Sequence, residues 1–226
     1  MTTWCDEQTP PSGVGASDFA CADFDNGFPD GWTVSDADGR LSLTEAVAKS
    51  APNSLNLQAP TLVDASNVST LSWTSVGAAP VALASISVSV NPTAQGGVVM
   101  PYDTFIELVC LDGGDGRACV NYTDGATVDF GPYTGFFLKW TMASGPPVLA
   151  EFPIGQATNN LWTDIFLSME PDGDLVASVG SESVTVPNQG VPPTTSITAV
   201  VGGYSRYGDS GPYNLRMDDV VVIVTR

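Results

Sequence analysis

Three aspartates near the two ends of the chain have a spacing that suits one shared chemical role. Asp23 and Asp25 lie two positions apart, so on a strand their side chains point to the same side. Asp218 lies in the apolar segment that ends the chain, and a sandwich whose end strands are neighbours would bring it close. Carboxylate oxygens are the hard ligands that Ca²⁺ takes, so these residues predict a structural calcium site. The alternative is that Asp23 and Asp25 cap turns by accepting backbone hydrogen bonds, with Asp219 simply exposed.

A second group of candidate residues lies in the glycine-rich segment 202–213, just before the terminal apolar run. Aromatic rings on a flexible backbone can stack on sugar rings, and charged side chains beside them can hydrogen-bond sugar hydroxyls. The predicted ligand-binding residues are Tyr204, Arg206, Tyr207, Asp209 and Tyr213. The alternative is a surface loop whose tyrosines pack against the edge of the fold.

Two charged residues lie within apolar segments that we predict as central strands, Glu107 in 104–110 and Lys139 in 135–142. In the second segment, strict alternation puts Phe137 on the same face as Lys139. A charge in such a place either pairs across strands or lines a concave groove. If it lines a groove, these residues and Phe137 become contacts for a glycan.

The chain contains no histidine. This removes the commonest general base and every Ser-His or Cys-His nucleophile pair. The sequence therefore names no catalytic residue.

The two matches to the glycosylation sequon, at Asn67 and Asn121, are no more than chance gives in a chain rich in Ser and Thr.

Four cysteines predict two disulfides formed in an oxidising compartment, and the alternative is free buried thiols. Of the three possible pairings, proximity in sequence favours Cys5 with Cys21 and Cys110 with Cys119. The predicted location is extracellular, periplasmic or on the cell surface. No apolar run approaches the roughly 20 residues that cross a bilayer, so we predict no membrane insertion of this segment.

The chain is strongly acidic, with 25 Asp and Glu against seven Lys and Arg and a net charge of −18. Such a charge repels nucleic acid and anionic membranes, so neither is predicted as a partner. It attracts cations, which agrees with the calcium prediction. The alternative is that the acidic residues only keep a secreted protein soluble.

Short alternating segments separated by Gly and Pro turns run through the rest of the 226 residues. In 84–90, for example, Ile86, Val88 and Val90 share one face and three serines share the other. We therefore predict an all-β, antiparallel β-sandwich of about a dozen strands. Residues 1–20 are predicted as an extended leader held by a disulfide, and 21–226 as a single domain.

The order of motifs along the chain resembles that of the concanavalin A-like and laminin G-like jelly rolls, over residues 21–226. The opening Cys-Ala-Asp-Phe-Asp followed by Gly-Trp is similar to the start of many bacterial members, including secreted or lipid-anchored ones. The later motifs are Leu-Trp-Thr-Asp-Ile-Phe-Leu at 161–167, an Asp-Gly hairpin, Leu-Val-Ala-Ser-Val at 175–179, Val-Gly-Gly at 201–203 and Met-Asp-Asp-Val-Val-Val at 217–222.

This resemblance implies sugar-binding modules, adhesion domains, polysaccharide hydrolases and polysaccharide lyases as possible functions. In similar jelly rolls, acids at the positions of Asp23, Asp25 and Asp218, together with nearby carbonyls, bind a structural Ca²⁺. The hydrolases carry a Glu-x-Asp-x-x-Glu strand, and the nearest run here is Glu-Pro-Asp-Gly-Asp at 170–174, which reads as a turn. The lyases generally use a His or Tyr base with an Arg, and histidine is missing.

The sequence thus predicts an exported, non-catalytic β-sandwich module that binds carbohydrate or another cell-surface ligand. One alternative is a structural or adhesive surface domain with a protein partner. A further alternative is a divergent polysaccharide-degrading enzyme. The sequence does not predict the identity of the ligand or the oligomeric state.

Overall fold

Two antiparallel β-sheets, packed face to face, make up most of the molecule. The computed structural model describes residues 3–36, 39–59, 67–94, 106–114, 116–127, 131–142, 150–156, 158, 160–187, 194–205 and 213–226. Short 3₁₀ helices at Cys5–Glu7 and Ala16–Asp18 precede the first strand, and the described residues contain no α-helix. None of them forms a helix long and apolar enough to cross a membrane.

In the described residues, fifteen strands follow the two short helices. In chain order they are β1 Phe19–Ala22, β2 Thr33–Asp36, β3 Leu41–Thr44, β4 Ser54–Ala59, β5 Asn67–Val76, β6 Leu83–Ala94, β7 Ile106–Gly113, β8 Gly116–Thr127, β9 Gly131–Met142, β10 Ala150–Gln156, β11 Thr163–Met169, β12 Leu175–Val179, β13 Glu182–Val186, β14 Ser196–Ser205 and β15 Tyr213–Thr225. The eight-stranded sheet has the order β13-β12-β11-β6-β15-β4-β3, with β1 also paired to β15, and the seven-stranded sheet has the order β10-β9-β8-β7-β14-β5-β2.

The first and last strands are neighbours, as predicted. β1 runs antiparallel to β15, with Phe19 opposite Ile223 and Ala22 opposite Val220. Just before β1, the Asp18 carboxylate accepts a hydrogen bond of 3.1 Å from Nε of Arg226 at the end of the chain. The two ends are therefore held together by backbone pairing and by an ion pair.

Alternating side chains from the two sheets fill the core between them. In β6, Ile86, Val88 and Val90 are almost fully buried in the core, and the serines between them point outward as predicted. In β9, Trp140 reaches into the core over Gly116, where an added Cβ would lie 2.1 Å from the indole ring. The predicted all-β sandwich is confirmed, with fifteen strands rather than a dozen.

Both predicted disulfides are present. Cys5 is bonded to Cys21 and Cys110 is bonded to Cys119. The second bond joins β7 to β8 at residues that are direct register partners in a β-hairpin. Disulfides of this kind are typical of proteins outside the cytoplasm. β1 already begins at Phe19, and the division into a leader 1–20 and a domain 21–226 stays a prediction.

Candidate functional site

The seven-stranded sheet carries a polar cluster on the face that points away from the core. In β7, β8 and β9 the core face holds the row Val109, Val120 and Leu138, so Cys110 in β7 and the residues on either side of Val120 and Leu138 point outward. A register shift between Glu107 and Val109 brings Glu107 onto the outward face as well. We call these outward residues the outer-face cluster: Glu107, Asp112, Arg117, Asn121, Phe137 and Lys139.

Arg117 connects the two carboxylates of the outer-face cluster. Its Nε and Nη2 lie 3.1 and 2.9 Å from Oε2 of Glu107, and its Nη1 lies 2.7 Å from Oδ2 of Asp112. Burial, together with the charge of Glu107, raises the pKa of Asp112, and Arg117 opposes that rise. Of the two roles proposed for Glu107, pairing across strands is therefore the one observed, with Arg117 as its partner.

Asn121 is the unusual member of the outer-face cluster. It lies between Glu107 and Phe137 in the register of the sheet, and its side chain is completely buried. Neither its Oδ1 nor its Nδ2 has a hydrogen-bond partner. A buried amide without hydrogen-bond partners lowers the stability of the fold by about 1–3 kcal/mol. A ligand group that hydrogen-bonds to it would recover part of this free energy on binding. From the sequence alone, the period-two pattern of β8 was the signal that Asn121 faces outward.

Glu107 also lies close to a disulfide. Its carboxylate and the sulfurs of Cys110 and Cys119 lie within 4.8 Å of one another, and among the described residues this is the one such set of three possible metal ligands. The two sulfurs are bonded to each other, and Arg117 already occupies the carboxylate. This set is therefore not a metal site.

The aspartates near the N-terminus do not lie on a strand. β1 ends at Ala22, and Phe24, between Asp23 and Asp25, has a left-handed backbone with φ of 62°. Oδ2 of Asp23 accepts a hydrogen bond of 2.8 Å from the backbone N–H of Cys5, and Oδ1 accepts one of 3.3 Å from Asp25. The prediction that both carboxylates share one strand face is thus wrong, because the chain turns directly after β1.

The aspartates of β15 hold the segment between β3 and β4. Asp218 is fully buried, and its Oδ2 accepts hydrogen bonds from the backbone N–H groups of Lys49 and Ser50, at 2.9 and 3.1 Å. The Ser50 hydroxyl lies 2.7 Å from Oδ1 of Asp219. Asp219 is 9% exposed, so the expectation that it is simply exposed is wrong. The same segment reaches Asp25, whose Oδ1 accepts a hydrogen bond from the backbone N–H of the residue at position 53.

These acids form one electrostatically coupled region. Burial, and then the charge of Asp219, raise the pKa of Asp218 to about 7 despite its backbone hydrogen bonds. Burial also raises the pKa of Asp219, and the charges of Asp164 and Asp23 add to the effect. The pKa of Asp25 is raised by burial and by Asp23. The structure therefore brings the acids of the two ends together, as the sequence suggested.

The predicted calcium ligands Asp23, Asp25 and Asp218 do not converge on one point. Among the described residues, no three carboxylates have oxygen atoms within 4.8 Å of one another. Asp218 already accepts three backbone hydrogen bonds, from Lys49, Ser50 and Asp219. The residues as placed do not fit a ready calcium site, and calcium binding stays a prediction.

The predicted tyrosine loop is described only at its two ends. Tyr204 lies in β14 of the seven-stranded sheet, where its backbone is the register partner of Glu107. Tyr213 opens β15 of the eight-stranded sheet. Arg206, Tyr207 and Asp209 lie outside the described residues. The ligand-binding role of these five residues stays a prediction, and the backbone of Tyr204 borders the outer-face cluster.

Comparison with known proteins shows what this sandwich is similar to. No protein-family model matches the chain, and no curated protein matches it. Among solved structures, an endo-β-1,4-glucuronan lyase from the fungus Trichoderma reesei has a TM-score of 0.66 at 12% identity, covering 91% of this chain and 95% of that one. This chain has the concanavalin A-like jelly-roll fold.

Two further structures show the same fold. The cellulose induced protein Cip1 has a TM-score of 0.58 at 14% identity, covering 92% of this chain and 98% of its own. The carbohydrate recognition domain of Emp47p has a TM-score of 0.58 at 10% identity, covering 97% of this chain and all of that domain. At identities this low the likeness establishes the fold and no activity.

Proposed function

We propose that this protein is an exported, non-catalytic module that binds carbohydrate through the outer-face cluster of the seven-stranded sheet. The observation that carries the proposal is Asn121, whose side-chain amide is fully buried and has both its donor and its acceptor unused. Sugar hydroxyls both donate and accept hydrogen bonds, so a single hydroxyl pair satisfies such an amide.

The residues around Asn121 suit a sugar in chemical type. Arg117 and Asp112 each keep 34% of their side chain exposed, so they form the part of the cluster that a ligand meets first. Arg117 donates and Asp112 accepts, while Phe137, whose ring is completely buried, lies next to Asn121 in the register of the sheet. A few polar groups beside an aromatic ring are the usual composition of a small-molecule site.

The comparisons support a carbohydrate ligand through the proteins that share the fold. One is named as a glucuronan lyase and another as a carbohydrate recognition domain. The two disulfides support export, because such bonds persist in oxidising compartments.

The non-catalytic part of the proposal rests on the acids of the cluster. Both Glu107 and Asp112 are engaged by Arg117, so neither is free to act as a nucleophile or general base as it stands. The chain also has no histidine to act as a base. A binding role needs no such group.

A glycan array tests the proposal with the wild type and two variants. We expect glycan signals from the wild type and their loss in Asn121→Ala. That variant removes an unsatisfied buried amide, so its melting temperature should be equal to or above that of the wild type. Asn214→Ala is the matched control, since it changes an asparagine of the other sheet and should keep the signal.

Three outcomes would contradict the proposal. If the wild-type protein gives no signal with any glycan, it does not bind carbohydrate, and a structural or adhesive role with a protein partner is favoured. An Asn121→Ala variant that is folded and binds like the wild type removes the outer-face cluster as the site. Release of unsaturated or reducing sugar ends from a bound polysaccharide would instead show an enzyme.

A further inference from the structure

Arg216, in β15, differs from the other cations whose contacts are known. Lys49, Arg117 and Arg226 each form an ion pair with an aspartate or glutamate. Arg216 forms no ion pair with any described residue, although the chain has 25 acidic side chains and only seven basic ones. A half-buried arginine without a counter-charge is unusual in so acidic a protein.

The position of Arg216 follows from the alternation of β15. Leu215 and Met217 point into the core, so Arg216 points to the outer face of the eight-stranded sheet. Its register partners are Asn56 on β4 and Asn91 on β6. Both neighbours are neutral, so the strands on either side of Arg216 provide amides where a carboxylate would be expected.

Two buried atoms at this point lack partners. Nη1 of Arg216 donates a hydrogen bond of 3.1 Å to Oγ1 of Thr93, but its Nε is buried and has no acceptor. Asn91 is 2% exposed, and its Oδ1 has no donor. Paired residues on antiparallel strands have their side chains on one face about 5 Å apart. A charged donor and a neutral acceptor are therefore left unsatisfied side by side.

Two described acids of this face do not supply the missing partner. Asp218, two positions along β15, accepts the backbone N–H groups of Lys49 and Ser50. Asp164, on β11, is bound by the Lys49 ammonium and by the Ser89 hydroxyl. Arg216 is thus isolated because the segment between β3 and β4 already uses the acids beside it.

We propose that Arg216 and Asn91 form a binding site for a small oxyanion that also carries a hydroxyl group. The oxyanion accepts from Nε–H of Arg216, and the hydroxyl donates to Oδ1 of Asn91. A hydrogen phosphate group and a hydroxy-carboxylate share this chemistry. The site lies on the opposite side of the sandwich from the outer-face cluster and does not depend on carbohydrate binding there.

The probes are four small anions added to the intact chain at pH 7 and constant ionic strength. Inorganic phosphate is compared with sulfate, which has the oxyanion but no proton to donate, and lactate is compared with acetate for the same reason. The readouts are the Arg216 Nε–Hε resonance and the melting temperature. We expect saturable shifts with a Kd of about 1 mM, given the net negative charge, for phosphate, for lactate, or for both.

The pattern of responses decides the proposal. A response to phosphate that exceeds sulfate identifies the phosphate source, and one to lactate that exceeds acetate identifies the hydroxy-carboxylate source. If phosphate acts only as sulfate does and lactate only as acetate does, the proposal is overturned.

Three variants locate the effect. Arg216→Gln should abolish the response, and Arg226→Gln, which removes the same charge elsewhere, should keep it. Asn91→Asp keeps the arginine but supplies an internal carboxylate, so it should abolish the response and raise the melting temperature. A phosphate response unchanged in Asn91→Asp would overturn the site even if Arg216→Gln failed to fold.

Discussion

In the described strands, the outer face of each sheet carries one arginine, and the two arginines have opposite surroundings. Arg117, on the seven-stranded sheet, is held between the carboxylates of Glu107 and Asp112. Arg216, on the eight-stranded sheet, has asparagines as register partners on both sides. On the seven-stranded sheet, an arginine with ion-pair partners therefore lies near Asn121, whose side-chain amide has no hydrogen-bond partner. On the eight-stranded sheet, an arginine whose Nε has no acceptor lies beside Asn91, whose Oδ1 has no donor.

The difference shows that register, rather than residue type, decides what an outward arginine does. Arg117 meets Asp112 across a hairpin, five residues away in sequence. Arg216 meets Thr93 across a strand pairing that spans 123 residues. The first pairing is set by a short turn, and the second by the closure of the whole sandwich.

The largest expected effect concerns the pH dependence of stability on the eight-stranded face. The pKa of Asp218 is raised to about 7, so between about pH 4 and pH 7 the folded state binds a proton that the unfolded state has lost. The free energy of unfolding should therefore fall as the pH rises through this range, by about 2–4 kcal/mol, and level off above it.

Urea unfolding at a series of pH values measures this effect. Asp218→Asn should flatten the curve, whereas Asp112→Asn on the other face should change it less, because Arg117 offsets the burial of Asp112. A wild-type curve that rises from pH 4 to pH 7 would contradict the raised pKa of Asp218.

Calcium binding provides a second test of how stability on the eight-stranded face depends on pH. If Ca²⁺ binds at Asp23, Asp25 and Asp218, it offsets the charge that destabilises the fold above pH 7. At a concentration 100 times its Kd, Ca²⁺ would then add about 2.7 kcal/mol to the free energy of unfolding at pH 8, and much less at pH 5. Identical melting curves in Ca²⁺ and in EDTA at pH 8 would remove the prediction.

A matched pair of substitutions compares the two arginines directly. Arg117→Met leaves the carboxylates of Glu107 and Asp112 without a counter-charge, and we expect it to lower the free energy of unfolding by about 2 kcal/mol. Arg216→Met leaves no carboxylate unpaired, so it should lower the free energy of unfolding by less than about 0.5 kcal/mol. Equal losses in chemical denaturation would contradict the assignment of Arg216 as the isolated cation.

The smallest expected effect compares two buried asparagines. Asn121 has no hydrogen-bond partner, so Asn121→Leu should raise the free energy of unfolding by about 1 kcal/mol. Asn56, on the other sheet, donates to the hydroxyl of Ser42 at 3.4 Å, so Asn56→Leu should not stabilise the protein. Denaturation midpoints that move together for both variants would show that the two amides are equivalent.

Local patterns in the sequence were sufficient for the sandwich and for both disulfides. Alternation of period two assigned the inward residues of β6 correctly, because a strand shows its own two faces without reference to its neighbours. The cysteine pairs were found because each closes a short loop. The same reasoning failed at Asp23 and Asp25, where the left-handed Phe24 turns a segment that reads as a strand.

By itself, then, the sequence determined the all-β fold and the faces of individual strands, since these depend on local alternation. Only the tertiary structure decided which polar residues meet. The engagement of Asp218 by Lys49 and Ser50, 169 and 168 residues away, leaves no trace in local spacing. The isolation of Asn121 and Arg216 depends in the same way on register across strands, because an unsatisfied side chain is defined by neighbours that the chain brings together only on folding.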